Sequence, residues 1–156
     1  MQSIEEFQQF LNSVSKLTGQ ELLAADERGL VAVTVDGELS LNLQFVPATG
    51  KVFCFVEVAQ IPADAPVELY RDLLGAGLFG QETAGGYFSL EKSSGTVIFN
   101  FMFDGETLQS PEEFVIGLEN VLQLCALWEN RISSSLHLAQ NEFQPDMAYV
   151  MHDIPV

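Results

Sequence analysis

The stretch LVAVTVDGELSLNLQFVPATGKVFCFVEV, residues 30–58, contains three apolar runs separated by two turn signals. In the middle run every second residue from Leu39 to Phe45 is apolar and the residues between them are polar, which is typical of a strand with one buried face. Asp36-Gly37 is a two-residue hairpin signal, and PATG at residues 47–50 forms the second turn. The stretch therefore predicts a three-stranded antiparallel meander with strands at 30–35, 38–46 and 51–58.

The outer strands of this meander are apolar on both faces. The third strand places Phe53 and Phe55 on one face, and the other face holds Val52, Cys54, Val56 and Val58. Only one face of such a sheet meets the helices of its own domain, unless something covers the second face. Two interpretations stay open: another helix or subunit covers the second face, or that face binds a partner.

Helical patterns lie on both sides of the meander. Ser3 and Glu6 form a capping box, and the apolar spacing that follows predicts a helix over residues 3–18. After a proline-containing loop, Pro66 suits the first turn of a second helix. This helix is expected to run from about residue 67 to residue 75 or 78.

The last third of the chain predicts a hairpin and a long helix. Residues 87–90 and 96–103 are β-rich runs separated by a KSSG turn. Ser110-Pro111-Glu112-Glu113 is a strong helix start, and the apolar pattern continues to about Leu138. The predicted fold class is therefore α+β: helix, three-stranded antiparallel meander, helix, β-hairpin and long C-terminal helix.

The domain organisation follows from the length of 156 residues and from where the periodic pattern fades. A chain of this length is expected to form one domain with an adequate core. We assign residues 1–139 to that domain. Residues 140–156, which contain two prolines and three acidic residues, are assigned to an acidic C-terminal tail.

Acidic residues strongly outnumber basic ones. The chain has 22 Asp and Glu against 6 Lys and Arg, a formal net charge of −16, yet 47% of it is hydrophobic. Disordered acidic chains lack apolar residues, so this pattern indicates a folded anionic protein. The basic residues are spread singly, with no stripe to neutralise phosphates, so neither nucleic acid nor an anionic membrane is an expected partner. High like charge also favours solubility for a protein that shows apolar surface.

The sequence lacks targeting signals and carries no recognisable catalytic constellation. Its start, MQSIEE, has no basic or long apolar region of a signal peptide, and no stretch approaches the ~20 apolar residues of a membrane helix. Cys54 and Cys125 lie in apolar runs and are expected to be buried free thiols. Residues 75–80 match GxGxxG but follow a helix, so the dinucleotide-binding context is missing. We expect a cytoplasmic protein that is not an enzyme and has no cofactor or metal.

The middle of the chain carries a family resemblance. LYRDLLGAGLF at residues 69–79 is similar to the leucine-rich second helix of the class I type III secretion chaperones, the Tir chaperone (CesT) family. TAGGYFSL at residues 83–90 resembles the glycine-pair strand entry of that family, and residues 124–128 resemble its aromatic-bearing last helix. With the order of elements and the acidity, the resemblance spans about residues 3–138. Gly77 departs from the family pattern, which often has asparagine there.

The resemblance implies a homodimeric chaperone without ATPase activity. Such a dimer holds the extended, unfolded N-terminal segment of a secreted virulence effector and presents it to the secretion apparatus. Family dimers join through the second helix and the neighbouring strand. By this resemblance the expected dimer interface contains Leu69, Leu73, Leu74, Leu78 and Phe79.

The same resemblance implies that effector segments lie along apolar patches at the flank of the sheet and can add a strand at a sheet edge. The expected effector-binding residues are Val31, Val33, Val35, Phe53 and Phe55, each of which has an alternative interpretation as a core residue. A second hypothesis of another class also stands, namely a structural or regulatory interaction dimer of this fold that has no effector client.

Overall fold

The computed structural model describes residues 1–21, 24–35, 37 and 39–142. Within these residues the chain forms an α+β fold with the predicted order of elements. These elements are α1 (Ile4–Thr18), β1 (Leu30–Val35), β2 (Leu39–Val46), β3 (Lys51–Gln60), α2 (Val67–Ala76), β4 (Tyr87–Glu91), β5 (Thr96–Phe103) and α3 (Pro111–Glu142). Short 3-10 helices at Leu78–Gly80 and Thr107–Gln109 follow α2 and β5.

The five strands form one antiparallel sheet in the order β1-β2-β3-β5-β4. The predicted meander is confirmed as β1-β2-β3, and the predicted hairpin β4-β5 joins it through pairing of β5 with β3. The described sheet therefore has β1 and β4 at its two edges. Those edges matter for function because an edge strand leaves one row of backbone hydrogen-bonding groups open.

All three helices pack on the same face of the sheet. The ring of Phe7 in α1 stacks on Phe45 of β2, with ring centroids 5.1 Å apart. In α3, Trp128 contacts Phe88 of β4 at 4.8 Å between ring centroids. Leu73 of α2 packs at this face beside β4 and β5, next to Phe88, Leu90 and Val97. The opposite face of the sheet carries none of the described helices, and we call it the open face.

Local sequence signals explain where α1 begins and ends. The Ser3 side chain accepts a hydrogen bond from the Glu6 N–H at 3.2 Å, as the capping box predicts. Gly19 ends the helix with φ of 69°, a left-handed conformation, and donates its N–H to the Ser15 carbonyl. Glycine adopts this conformation without the steric cost of a Cβ atom, so both boundaries follow from the sequence.

Two boundaries differ from the sequence-based expectation. The strand β3 continues to Gln60 through a β-bulge between Glu57 and Ala59, because β3 keeps pairing with β5 beyond the last β2 partner, Val56. The helix α3 continues to Glu142, inside the segment assigned to the tail. The helix α2 ends at Ala76, between the two predicted ends at residues 75 and 78. Asp36 of the predicted hairpin turn and residues 143–156 of the predicted tail lie outside the described residues.

Candidate functional site

The predicted effector-binding residues of β1 lie on the helix-covered face of the sheet. Val31, Val33 and Val35 are paired with Leu43, Leu41 and Leu39 of β2. Val31 is only 1% exposed and belongs to the core, so its side chain is not available to a partner. Val33 and Val35 are half-buried at the margin of the core and keep part of their apolar surface open.

Phe53 and Phe55 lie on the open face, which separates them from the three valines. Their rings stack with centroids 6.4 Å apart, and both residues are half-buried. The strand register places them beside Met102 and Asn100 of β5. The predicted set therefore does not form one surface. It splits across the two faces because successive side chains of a strand point to opposite sides.

The backbone of β1 offers a further feature at the edge of the sheet. The Phe45 N–H donates to the Gly29 carbonyl at 2.9 Å, and the register continues from this pair to Leu39 opposite Val35. Hydrogen-bonded pairs alternate along an antiparallel ladder. The N–H and C=O groups of Ala32 and Thr34 therefore point away from β2, toward the free edge of the sheet.

The predicted dimer residues divide between core and surface. Leu69 and Leu73 are buried and pack inward from α2. Leu74, Leu78 and Phe79 are 77%, 64% and 87% exposed. Two further exposed apolar residues, Tyr87 and Leu90, lie on the edge strand β4. The register pairs Tyr87 with Asn100 on the open face and Leu90 with Val97 on the helix-covered face. We define the α2–β4 surface by the exposed residues Leu74, Leu78, Phe79 and Leu90.

Tyr87 and Leu90 were not among the residues predicted from the sequence. Their strand reads YFSL, and alternation alone does not say which residues a neighbouring strand or helix will cover. Leu90 joins Leu74 at the margin of a shallow apolar depression between α2 and β4. The exposed apolar residues thus continue from the helix onto the sheet edge, as at protein–protein contact sites.

The loop that presents this surface is held against α3. The Arg131 guanidinium donates a hydrogen bond to Glu82 at 2.8 Å, and it lies over the Trp128 ring at 3.9 Å from the centroid. Phe79 has a φ of 57°, a left-handed conformation that is costly for a residue with a side chain. The loop therefore holds an exposed aromatic ring in a strained conformation, an arrangement that is concentrated at functional positions.

Cys54 and Cys125 are free and buried, as predicted, and burial raises the pKa of each thiol to about 12. Both thiols are therefore protonated and poorly nucleophilic near neutral pH. Within the described part of the chain, no three side chains of the metal-binding types come together, and no helix is long and apolar enough to cross a membrane.

The comparison with protein families identifies the class of protein. The model of the Tir chaperone protein (CesT) family matches residues 9–129, which is most of the chain and runs from within α1 to the middle of α3. The chain belongs to this family of chaperones, as the resemblance in residues 69–90 predicts. A search of curated protein sequences finds no significant match.

Solved structures share the fold. A chain of the ExsC–ExsE complex superposes with a TM-score of 0.71 at 18% identity, covering 83% of this chain and 96% of that one. A chain of the HopA1–SchA chaperone–effector complex gives 0.63 at 19% identity, covering 80% and 93%. The Yersinia pestis type III secretion chaperone SycH, solved with a fragment of YscM2, gives 0.61 at 17%, covering 78% and 98%. These likenesses show a common fold over nearly the whole length of the compared chains.

Proposed function

We propose that this protein is a type III secretion chaperone that binds the extended N-terminal segment of a secreted effector. It keeps that segment soluble and competent for secretion, and it delivers the segment to the secretion apparatus. It acts in the cytoplasm as a homodimer and has no enzymatic activity. Neither nucleic acid nor a membrane is its partner. The observation that carries the proposal is membership of the CesT family in a chain whose apolar surfaces lie at both edges of one sheet.

The homodimer forms through the α2–β4 surface. Leu74, Leu78 and Phe79 are mostly exposed in the isolated subunit, so they add little to its stability. Burying one such side chain in a dimer interface contributes about 1.5–3 kcal/mol to association. Leu69 and Leu73 support this surface from inside by fixing α2 on the sheet. The free edge of β4 lies beside the same patch, so backbone pairing can add to the apolar contact.

The effector segment binds at the opposite edge, along β1. Ala32 and Thr34 present backbone groups there that accept an added strand, which is β-augmentation. Val33 and Val35 offer apolar contacts on the helix side of the edge. Phe53 and Phe55 lie on β3, two strands in from that edge, and offer further contacts where the segment continues across the open face. Backbone pairing tolerates different sequences, whereas the side-chain contacts select among clients. A complex with this fold is described as a chaperone–effector complex, which supports effector binding by this fold.

The test is capture of the client by matched variants. Tagged wild-type protein, Val33→Asp, Phe53→Asp and the control Gln109→Asp are expressed in the native bacterium, and captured proteins are identified. Gln109 is exposed and lies in the 3-10 helix after β5, outside the predicted effector-binding and dimer residues. We expect the wild type and Gln109→Asp to hold the N-terminal segment of a secreted protein. Val33→Asp and Phe53→Asp bind this segment at least about tenfold more weakly, a loss of ~1.4 kcal/mol in binding free energy.

The outcomes separate the proposal from its alternative. Far-ultraviolet circular dichroism and sedimentation show whether each variant is folded and dimeric, and Val33→Thr provides a milder change if Val33→Asp unfolds the protein. A dimer that captures no secreted protein supports an interaction module without an effector client. Equal capture by all variants contradicts the assignment of the β1 edge.

A further inference from the structure

A groove of about 530 Å³ lies between the middle of α3 and the end of the meander, and we call it the α3–meander groove. Its apolar wall contains Val35 of β1, so it is continuous with the proposed client edge. Three glutamates border it. The lining residues are Gln20, Val35, Leu39, Glu57, Val58, Glu119, Leu122, Gln123, Ala126 and Glu129.

The glutamates stand on both walls of the groove. Glu119 and Glu129 belong to α3, and their separation of ten residues corresponds to a rise of about 15 Å along the helix. Glu57 borders the groove from β3, beside the β-bulge. An extended peptide advances about 3.3 Å per residue, so the span between the two helical carboxylates matches about four or five residues of such a peptide.

These carboxylates have no cationic partner within the described structure. The ion pairs found there join Glu6, Glu68 and Glu82 to the N-terminus, Arg71 and Arg131. No lysine or arginine lines the groove, although every lysine and arginine of the chain lies in the described part. The groove therefore combines an apolar wall with uncompensated negative charge.

This charge selects the occupant. A second copy of the chain would bring a net charge of −16 to a negative groove. Residues 143–156 contain Asp146 and Asp153 and no lysine or arginine, so they are not complementary to it either. A segment of another protein that alternates apolar residues with lysine or arginine is complementary to both the apolar wall and the charge.

We propose that the α3–meander groove selects client segments in which basic residues, spaced about four positions apart, are interleaved with apolar ones. This inference rests on the proposed function and deepens it, because it names the chemistry of the client. The apolar residues contact Val35, Leu39 and Leu122. The basic residues pair with Glu57, Glu119 and Glu129.

The experiment compares charge variants of the full-length chain with charge variants of a peptide. The groove variant is E57Q/E119Q/E129Q, and the control is E27Q/D104N/E106Q, whose three positions are exposed and outside the groove. Both remove three negative charges. The probes are fluorescent synthetic peptides with the same alternating valines and leucines. They carry at two positions, four apart, either Lys, Gln or Glu.

We expect the wild type and the control variant to bind the Lys peptide more tightly than the Gln peptide. The groove variant loses affinity for the Lys peptide by about two- to 25-fold, since the two lysines form at most two exposed ion pairs and each contributes a factor of about 1.4–5. It binds the Gln peptide as the wild type does. Added salt weakens binding of the Lys peptide more than binding of the Gln peptide.

Other results overturn the inference. If the wild type binds the Lys and Gln peptides equally, the groove does not select clients by charge. Client capture from the bacterium remains a separate test of the proposed function. If the control variant loses as much affinity for the Lys peptide as the groove variant does, the effect comes from the net charge of the protein and not from the groove. If the oligomer mass falls in the groove variant and not in the control variant, the groove binds a second copy of the chain. Competition by a peptide of residues 143–156 assigns it to the chain's own C-terminal segment.

Discussion

At the residue scale, Gly86 shows how closely the loop before β4 approaches β5. A Cβ atom on this residue would lie 2.7 Å from the Asn100 carbonyl oxygen and 2.9 Å from Cε2 of Phe99. Real Cβ atoms do not approach other atoms so closely, so a side chain here forces the two strands apart. We expect Gly86→Ala to lower the free energy of unfolding by about 1–3 kcal/mol, measured by denaturant titration.

The matched control for this substitution is Gly105→Ala. No atom lies within 4 Å of a Cβ placed on Gly105, so the change should alter stability by less than about 1 kcal/mol in either direction. If Gly86→Ala unfolds at the same denaturant concentration as Gly105→Ala, the close approach of this loop to β5 is wrong.

The sequence predicted the alternation of side chains but not every environment. It placed Phe53 and Phe55 opposite Val52 and Cys54, as found. It could not distinguish Val31, which is in the core, from Val33 in the same strand, because both lie on one face and differ only in how far the surrounding residues cover them. Burial at the margin of a sheet depends on tertiary packing, which alternation does not encode.

At the scale of elements, the α2–β4 surface is predicted to hold two subunits together. Phe79→Ser removes the most exposed aromatic ring of this surface and does not touch the core. We expect the dimer dissociation constant to rise about 30-fold, or ~2 kcal/mol, as for a typical interface hot spot. Sedimentation equilibrium measures this change, and circular dichroism should show an unchanged fold.

The control is Ile116→Ser, which removes an exposed apolar side chain of α3 outside this surface. It should leave the dimer intact. A wild-type protein that sediments as a monomer at micromolar concentration contradicts the homodimer. Equal weakening by both substitutions contradicts its location on α2 and β4.

The elements themselves were largely predictable because their boundaries carry strong local signals. Ser3 and Gly19 delimit α1, and Ser110 with Pro111 begins α3. The end of α3 was placed too early. Its apolar pattern weakens after Leu138, yet the helix continues to Glu142. A helical turn exposed to solvent does not need an apolar face, so the apolar pattern does not show where the helix ends. The bulge in β3 has no local signal and depends on pairing with β5.

At the scale of the whole molecule, the distribution of charge and apolar surface explains how one chain performs two kinds of binding. The α2–β4 surface lies at one edge of the sheet and the β1 edge lies at the other, so the proposed self-association would leave the proposed client edge free. The net charge of −16 opposes non-specific association of the exposed apolar residues. The class of the fold was predictable from the order of elements and the family resemblance, whereas the groove bordered by three glutamates required the structure.

The most direct test of the central claim, that β1 receives an extended client strand, is residue-resolved amide hydrogen exchange with and without the captured client. We expect the amides of Ala32 and Thr34, which point to the free edge, to exchange at least about tenfold more slowly in the complex. The amides of Val31 and Val33 already pair with β2 and should change little. Unchanged exchange at Ala32 and Thr34 in a complex that holds the client would contradict strand addition at β1.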